Sequence, residues 1–139
     1  DGKISGINYQ SPEEAKLRDE LIAQQKLMLH ESVREFASPV LAWETARFTI
    51  RVDAIDNNQY RYAAWAKGKS LSEKPDLVLK KGQLVREGTG GNHSFQFKSG
   101  PYRYVCDVIV LSAEESPVGR LYVYKNDQLL VQEPVIKAL

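Results

Sequence analysis

The sequence has one cysteine and two histidines among its 139 residues, and these scarcities exclude several kinds of site. A single thiol, Cys106, cannot form an internal disulfide, and a four-cysteine zinc site is excluded. Cys106 lies in an apolar, β-branched run, so we expect a buried and unreactive thiol. His30 and His93 show no paired metal-ligand spacing, and no nucleophile motif such as Gly-x-Ser-x-Gly occurs. The sequence therefore predicts no metal site, no cofactor and no catalytic residue.

The sequence also lacks an excess of positive or negative charge and a long apolar run. Nineteen basic residues against 18 acidic residues give a formal net charge of +1. Such a balance gives no general attraction to nucleic acid or to an anionic membrane. No stretch of about 18 apolar residues occurs, so we expect no membrane span. The hydrophobic content of 42% is still sufficient for the core of one compact domain.

Residues 1–38 show the signals of an arm followed by a helix. Residues 1–10 have two glycines and little periodicity, which predicts a flexible arm. The segment Ser11-Pro12-Glu13-Glu14 has the pattern of a capping box with proline in the first turn. Pro39 then marks the end of an amphipathic helix that we predict over residues 11–38. Its broad apolar stripe favours packing on the protein's own sheet; the alternative is a homodimer through a protruding helix.

Residues 39–139 change to a period of two, which is typical of half-buried strands. Phe48–Ala54 and Gln59–Ala66 alternate on either side of Asp56-Asn57-Asn58, so we predict a hairpin. Leu77–Lys80 and Gln83–Arg86 are predicted as two short strands around a turn. The frequent turn signals predict an α+β fold in which the helix precedes an antiparallel β-sandwich or partly open β-barrel of about seven to eight strands.

The most apolar run in the chain is Tyr102–Leu111, which follows Gly100-Pro101. It is rich in β-branched and aromatic residues, and ten residues are too few for a helix that lacks a polar stripe. We therefore predict a central strand that is covered on both faces.

The motif Tyr-x-Tyr occurs three times, at Tyr60, Tyr102 and Tyr122. Residues i and i+2 share a face of a strand, so each motif places two rings side by side. Such pairs form either a ladder in the core or an exposed surface that suits sugar rings or a protein. Two loops add basic and polar groups: residues 67–86 contain six basic and two acidic residues. The candidate binding residues are Tyr60, Tyr62, Trp65, Lys67, Lys69, Lys74, Asn92 and His93.

The glycine-rich segment Gly88–Asn92 does not match a phosphate-binding loop. The Gly-Lys-Ser/Thr sequence is missing, and a strand rather than a helix is predicted to follow. We interpret it as the tip of a hairpin, where recognition residues are often found.

These features favour a non-enzymatic binding module that recognises a protein or a polysaccharide through aromatic strands and loops. Three alternatives stay open: an inhibitor of a secreted hydrolase such as lysozyme or a protease, a small hydrolase-like enzyme that uses His93, and a structural or oligomerisation subunit of a cell-envelope assembly. The chain starts at Asp1, so we expect a processed N-terminus, from which an export signal or a lipid anchor could have been removed. An extracytoplasmic location, periplasmic or at the cell surface, is therefore expected.

Overall fold

The computed structural model describes residues 11–87, 90–110 and 117–139. Three predictions fall wholly or partly outside these residues: the N-terminal arm, the hairpin tip at Gly88, and the end of the central strand at Leu111. Within them, one helix, α1 (Pro12–Leu27), and a 3-10 turn (Glu31–Val33) precede the strands. The strands are β1 (Ser38–Glu44), β2 (Phe48–Ala54), β3 (Tyr60–Ala66), β4 (Leu77–Arg86), β5 (His93–Ser99), β6 (Tyr102–Val108), β7 (Gly119–Lys125), β8 (Gln128–Pro134) and β9 (Lys137–Ala138).

The strands form one antiparallel sheet in the order β8-β7-β6-β5-β4-β3-β2-β1-β9. Each strand from β1 to β8 pairs with the next, whereas β9 returns to β1 at the opposite edge. The chain makes this crossing at Val135 and Ile136, whose amides donate to the carbonyls of Gly119 and Glu44 respectively. The crossing draws the two edges together, and the sheet is curled into a half-barrel.

The predicted α+β class is thus confirmed in its coarse form, as a mostly-β chain with one N-terminal helix. The sandwich does not form, because an unbroken series of neighbouring pairs makes a single sheet instead of two. The barrel is not closed, and the described residues contain nine strands.

Helix α1 begins as predicted but is shorter than predicted. The Ser11 hydroxyl accepts from the Glu14 amide at 3.1 Å, and the Glu14 carboxylate accepts from the Ser11 amide at 2.9 Å. The helix ends at Leu27, because Leu29, Val33 and Phe36 leave the helical path and are buried against the sheet. Their spacing resembled a helical stripe, but the packing surface of the sheet determines their conformation.

The half-barrel has an apolar core on each side of β2 and β3. On the concave side the largest fully buried side chains include Tyr62, Phe97, Leu121 and Ile50. On the convex side, Trp65 packs with the segment that follows α1. The strands covered on both faces are therefore β2 and β3. The predicted central strand, β6, ends at Val108 and is only half-buried along most of its length.

Strand β4 is one continuous strand of ten residues, where the sequence predicts two short strands and a turn. A β-bulge at Lys80 and Lys81 replaces the predicted turn. The next residue must be glycine, because a Cβ atom on Gly82 would lie 2.0 Å from the ring of Phe97. The bulge lets the strand bend around the interior of the half-barrel.

Candidate functional site

A cavity of about 270 Å³ lies inside the curl, at the end where β3 finishes and β4 begins. On β3 the inward positions are Tyr62, Ala64 and Ala66, so a large side chain is followed by two small ones. The alanines leave a hollow that the opposite wall does not fill. The other wall residues are apolar or aromatic except for Asp76: Phe48, Trp65, Leu77, Tyr104, Leu121, Val123 and Val131. We call this cavity the apolar pocket.

Two tyrosines form the back of the apolar pocket. The ring centroids of Tyr62 and Tyr104 are 5.5 Å apart, and Tyr62 is also 5.5 Å from Phe97. Burial raises the pKa of Tyr62, and the nearby Cys106 adds to that effect. Burial likewise raises the pKa of Tyr104. Both phenols are therefore neutral at ordinary pH, and the pocket wall carries no charge at this point.

The loop from Lys67 to Asp76 borders the apolar pocket and is held by hydrogen bonds at both ends. The Trp65 indole donates to the Glu73 carbonyl at 2.8 Å. Asp76 accepts from the Ala66 amide at 2.7 Å and forms an ion pair with Lys69 at 2.9 Å. The hydrogen bond from Lys69 is the main reason that the pKa of Asp76 is lowered. The loop thus presents a fixed polar rim beside an apolar cavity.

The structure divides the predicted binding residues between the two ends of the half-barrel. Tyr62 and Trp65 line the apolar pocket, although both side chains are almost fully buried. Lys67 and Lys69 lie beside it and pair with Glu44 and Asp76 respectively, and the carbonyl of Lys74 accepts from Lys69. Tyr60 and His93 lie at the opposite end of the half-barrel, where β3 and β5 begin, and Asn92 directly precedes β5. An exposed ladder that combines Tyr60 with Tyr62 does not form.

At the far end, His93 lines a separate cavity of about 290 Å³ with Trp43, Phe95 and Val108. Its Nδ1 atom lies 2.8 Å from the Gly91 carbonyl. Among the described residues, no aspartate or glutamate lines this cavity. Asp107 lies close enough to His93 to interact with it: burial and Glu87 raise the pKa of Asp107, and the charges of Arg120 and His93 act to lower it. The enzyme alternative, which requires a histidine beside a carboxylate, stays a prediction.

The pocket residues that the sequence did not indicate include Phe48, Tyr104, Val123 and Val131. They lie on four strands that are distant in sequence, and only the curl of the sheet brings them together. The alternating small residues at Ala64 and Ala66 were the one local signal of a hollow on this face.

Among the described residues, no three His, Cys, Asp or Glu side chains are grouped so that they could hold a metal ion. No helix in this part of the chain is long and apolar enough to cross a membrane. Comparison with protein-family models found no match, and comparisons with curated proteins and with solved structures found no significant match either. No relative therefore assigns a function to the pocket.

Proposed function

We propose that this chain is a non-enzymatic binding module that takes an apolar side chain of a partner protein into the apolar pocket. One observation supports this: an apolar cavity of about 270 Å³ opens at the end of the curl beside a fixed loop. Protein interiors contain few voids larger than a water molecule. Small-molecule sites usually measure about 300–1,000 Å³. The pocket therefore suits one aromatic or branched side chain better than a drug-sized ligand.

The chemistry of the walls favours a protein over a polysaccharide in this pocket. A sugar carries many hydroxyl groups, and each buried hydroxyl needs a hydrogen-bond partner. Among the described lining residues, Tyr62, Tyr104 and Asp76 have such side-chain groups, and the Trp65 indole already donates to the Glu73 carbonyl. An apolar centre with a rim of Lys67, Lys69 and Asp76 matches the usual anatomy of a protein interface. Inhibition of a secreted hydrolase would be one form of this function.

A small-molecule titration tests whether the pocket accepts an apolar side chain. Indole and p-cresol mimic the side chains of Trp and Tyr, and the backbone amides of Ala64 and Trp65 are reporters in the wall. We expect both compounds to shift the NMR signals of Trp65 and of the amides around Ala64. A wild-type protein whose pocket signals do not respond to either compound would contradict the proposal.

Matched substitutions show whether binding occurs at the pocket. Ala66 lies at its mouth and is exposed, so Ala66→Leu fills part of the cavity without burying a polar group. Ala54→Leu makes the same change at the other end of the sheet, on β2. Binding should be lost in Ala66→Leu and retained in Ala54→Leu. Equal binding by both variants would place the ligand elsewhere.

Two half-buried tyrosines favour a polysaccharide as the second candidate ligand. Tyr122 and Tyr124 lie on the convex face of β7, with ring centroids 6.3 Å apart and ring planes within 19° of each other. The Arg103 guanidinium lies 4.3 Å from the Tyr124 ring. Near-parallel rings with a donor beside them suit a flat sugar ring. Tyr122→Ala should abolish oligosaccharide binding if this surface is the site, whereas Ala66→Leu should not affect it.

A further inference from the structure

A second cavity, of about 280 Å³, lies on the convex side of the sheet, between the 3-10 turn and strands β3 and β4. It is separate from the apolar pocket, and three of its lining residues are cations: Arg61, Lys80 and Lys81. We call it the basic cavity. Its lining also includes Ser32 and Gln59, which offer a hydroxyl and an amide.

The bulge in β4 brings the three cations together. Tyr60 pairs with Gly82 and Tyr62 pairs with Leu79, so Arg61 alone faces both Lys80 and Lys81. Like charges opposite one another on paired strands are destabilising. In addition, Lys81 has a left-handed φ of 63°, which costs a non-glycine residue about 1 kcal/mol. Bulges are common beside functional sites, where strain of this kind is often found.

The Nε–H group of Arg61 donates to no acceptor in the part of the chain that the structure describes. Its side chain is 4% exposed; Nη1 donates to the Val33 carbonyl at 3.1 Å, and Nη2 pairs with Asp53. Among the described residues, Arg61 Nε is the one buried side-chain nitrogen or oxygen atom without a hydrogen-bond partner. Burial lowers the pKa of the guanidinium, an effect that Asp53 opposes and Arg51 reinforces. An unused donor on a buried cation is costly unless an acceptor satisfies it.

The charges around the basic cavity do not balance. Asp53 pairs with two buried arginines, Arg51 and Arg61. These three side chains together therefore have a net charge of +1. Lys80 and Lys81 add two more, and Glu35 is the one acidic residue among the described lining residues. Two positive charges therefore remain without an anionic partner in this part of the protein.

We propose that the basic cavity binds a doubly charged tetrahedral oxyanion, that is, a phosphate or sulfate group. Such a group would accept hydrogen bonds from the ammonium groups of Lys80 and Lys81, and the positive charge of the buried Arg61 guanidinium lies in the wall behind them. Its two negative charges match the local excess, which a single carboxylate would only half neutralise. The cavity is larger than a free phosphate ion, so a phosphate or sulfate ester of a small molecule fits the space.

An anion titration tests this proposal on the full chain. Sodium phosphate, sodium sulfate and sodium chloride are compared by NMR at one fixed ionic strength. We expect the amide signals of Ser32, Lys80 and Lys81 to shift saturably with phosphate and sulfate, and not with chloride. Phosphate should bind more weakly below its second pKa, where it carries one charge, whereas sulfate should not change. A stronger response to phosphate or to sulfate at neutral pH identifies the preferred group.

The variants separate a built site from general charge attraction. Lys80→Gln with Lys81→Asn removes both exposed cations, and Asn tolerates the left-handed conformation at position 81. Lys16→Gln with Lys137→Gln makes the same change in net charge on α1 and β9. We expect roughly tenfold weaker binding in the first pair and none of that loss in the second. The absence of a saturable shift, an equal response to chloride, or equal losses in both pairs would overturn the proposal.

Discussion

Glu133 on the edge strand β8 accepts two hydrogen bonds from Arg47, which lies 86 residues earlier in the turn between β1 and β2. The Arg47 amide binds one carboxylate oxygen at 3.3 Å, and the guanidinium binds the other. Phe48 follows Arg47, Val131 lies two residues before Glu133, and both residues line the apolar pocket. The contact between Arg47 and Glu133 therefore joins the two sides of the pocket, and we expect it to maintain the curl.

Glu133→Gln should destabilise the protein at neutral pH and weaken its acid sensitivity. Burial acts to raise the pKa of Glu133, but hydrogen bonds from Arg47 and Thr45 outweigh it, so the pKa lies below its usual value of 4.5. The stabilisation is present above that value and is lost as the pH falls through the lowered pKa of the folded state. We expect a loss of about 1–3 kcal/mol at neutral pH. Urea unfolding from about pH 3 to pH 7 measures both effects.

Glu44→Gln is the matched control for this pH dependence. The Glu44 carboxylate lies 3.6 Å from the Lys67 ammonium, and both side chains are about one-third exposed or more. Exposed ion pairs usually contribute about 0–1 kcal/mol. A loss in Glu44→Gln as large as that in Glu133→Gln would show that the link across the pocket has no special role.

Asp53→Asn should be among the most damaging single changes on the convex side of the sheet. Asp53 is fully buried and pairs with Arg51 at 2.6 Å and with Arg61. Removing the shared carboxylate leaves two buried cations without their counter-ion, which typically costs about 3–5 kcal/mol. Chemical denaturation measures the change. Asp127→Asn is the control: that side chain is 94% exposed and lies 3.9 Å from Arg103. Similar stability of the two variants would contradict the buried pairing.

Gly82→Ala should destabilise the bend of β4 through a direct clash with Phe97. The added methyl group would lie 2.0 Å from the ring, which must shift. Forcing extra volume into a packed core typically costs about 1–3 kcal/mol. Phe97→Leu should relieve the clash, so the double variant should lose less than the two single losses together. Additive losses in this cycle would show that Phe97 does not impose the glycine.

Local signals predicted the parts of the fold whose causes are local. The capping box fixed the start of α1, and the hairpin of β2 and β3 follows alternation on either side of the Asp56 turn. Asp56 accepts from the amides of Asn58 and Gln59, as expected for a residue that stabilises a turn.

The predictions that were wrong depended on contacts between distant segments. Val33 and Phe36 continued a helical spacing, but the outer surface of the sheet removes them from the helix. Arg51 and Asp53 gave β2 the pattern of a half-buried strand, and the pairing of Asp53 with Arg51 and Arg61 is what allows burial there. The sequence of one strand does not show that a side chain on the neighbouring strand will neutralise its charged residues. For the same reason, the far wall of the apolar pocket could not be found from β3 alone.

Cys106 provides a test of how tightly the interior is closed behind the apolar pocket. The thiol is fully buried, as predicted, and burial raises its pKa far above the usual value. A thiol that is neither exposed nor ionised is a poor nucleophile. We therefore expect native protein to resist an aromatic disulfide reagent, and labelling to accelerate with urea in parallel with unfolding. Ala66→Leu should leave this protection unchanged, because it fills the mouth of the pocket. Rapid labelling of the native protein would mean that the interior opens to solvent without global unfolding.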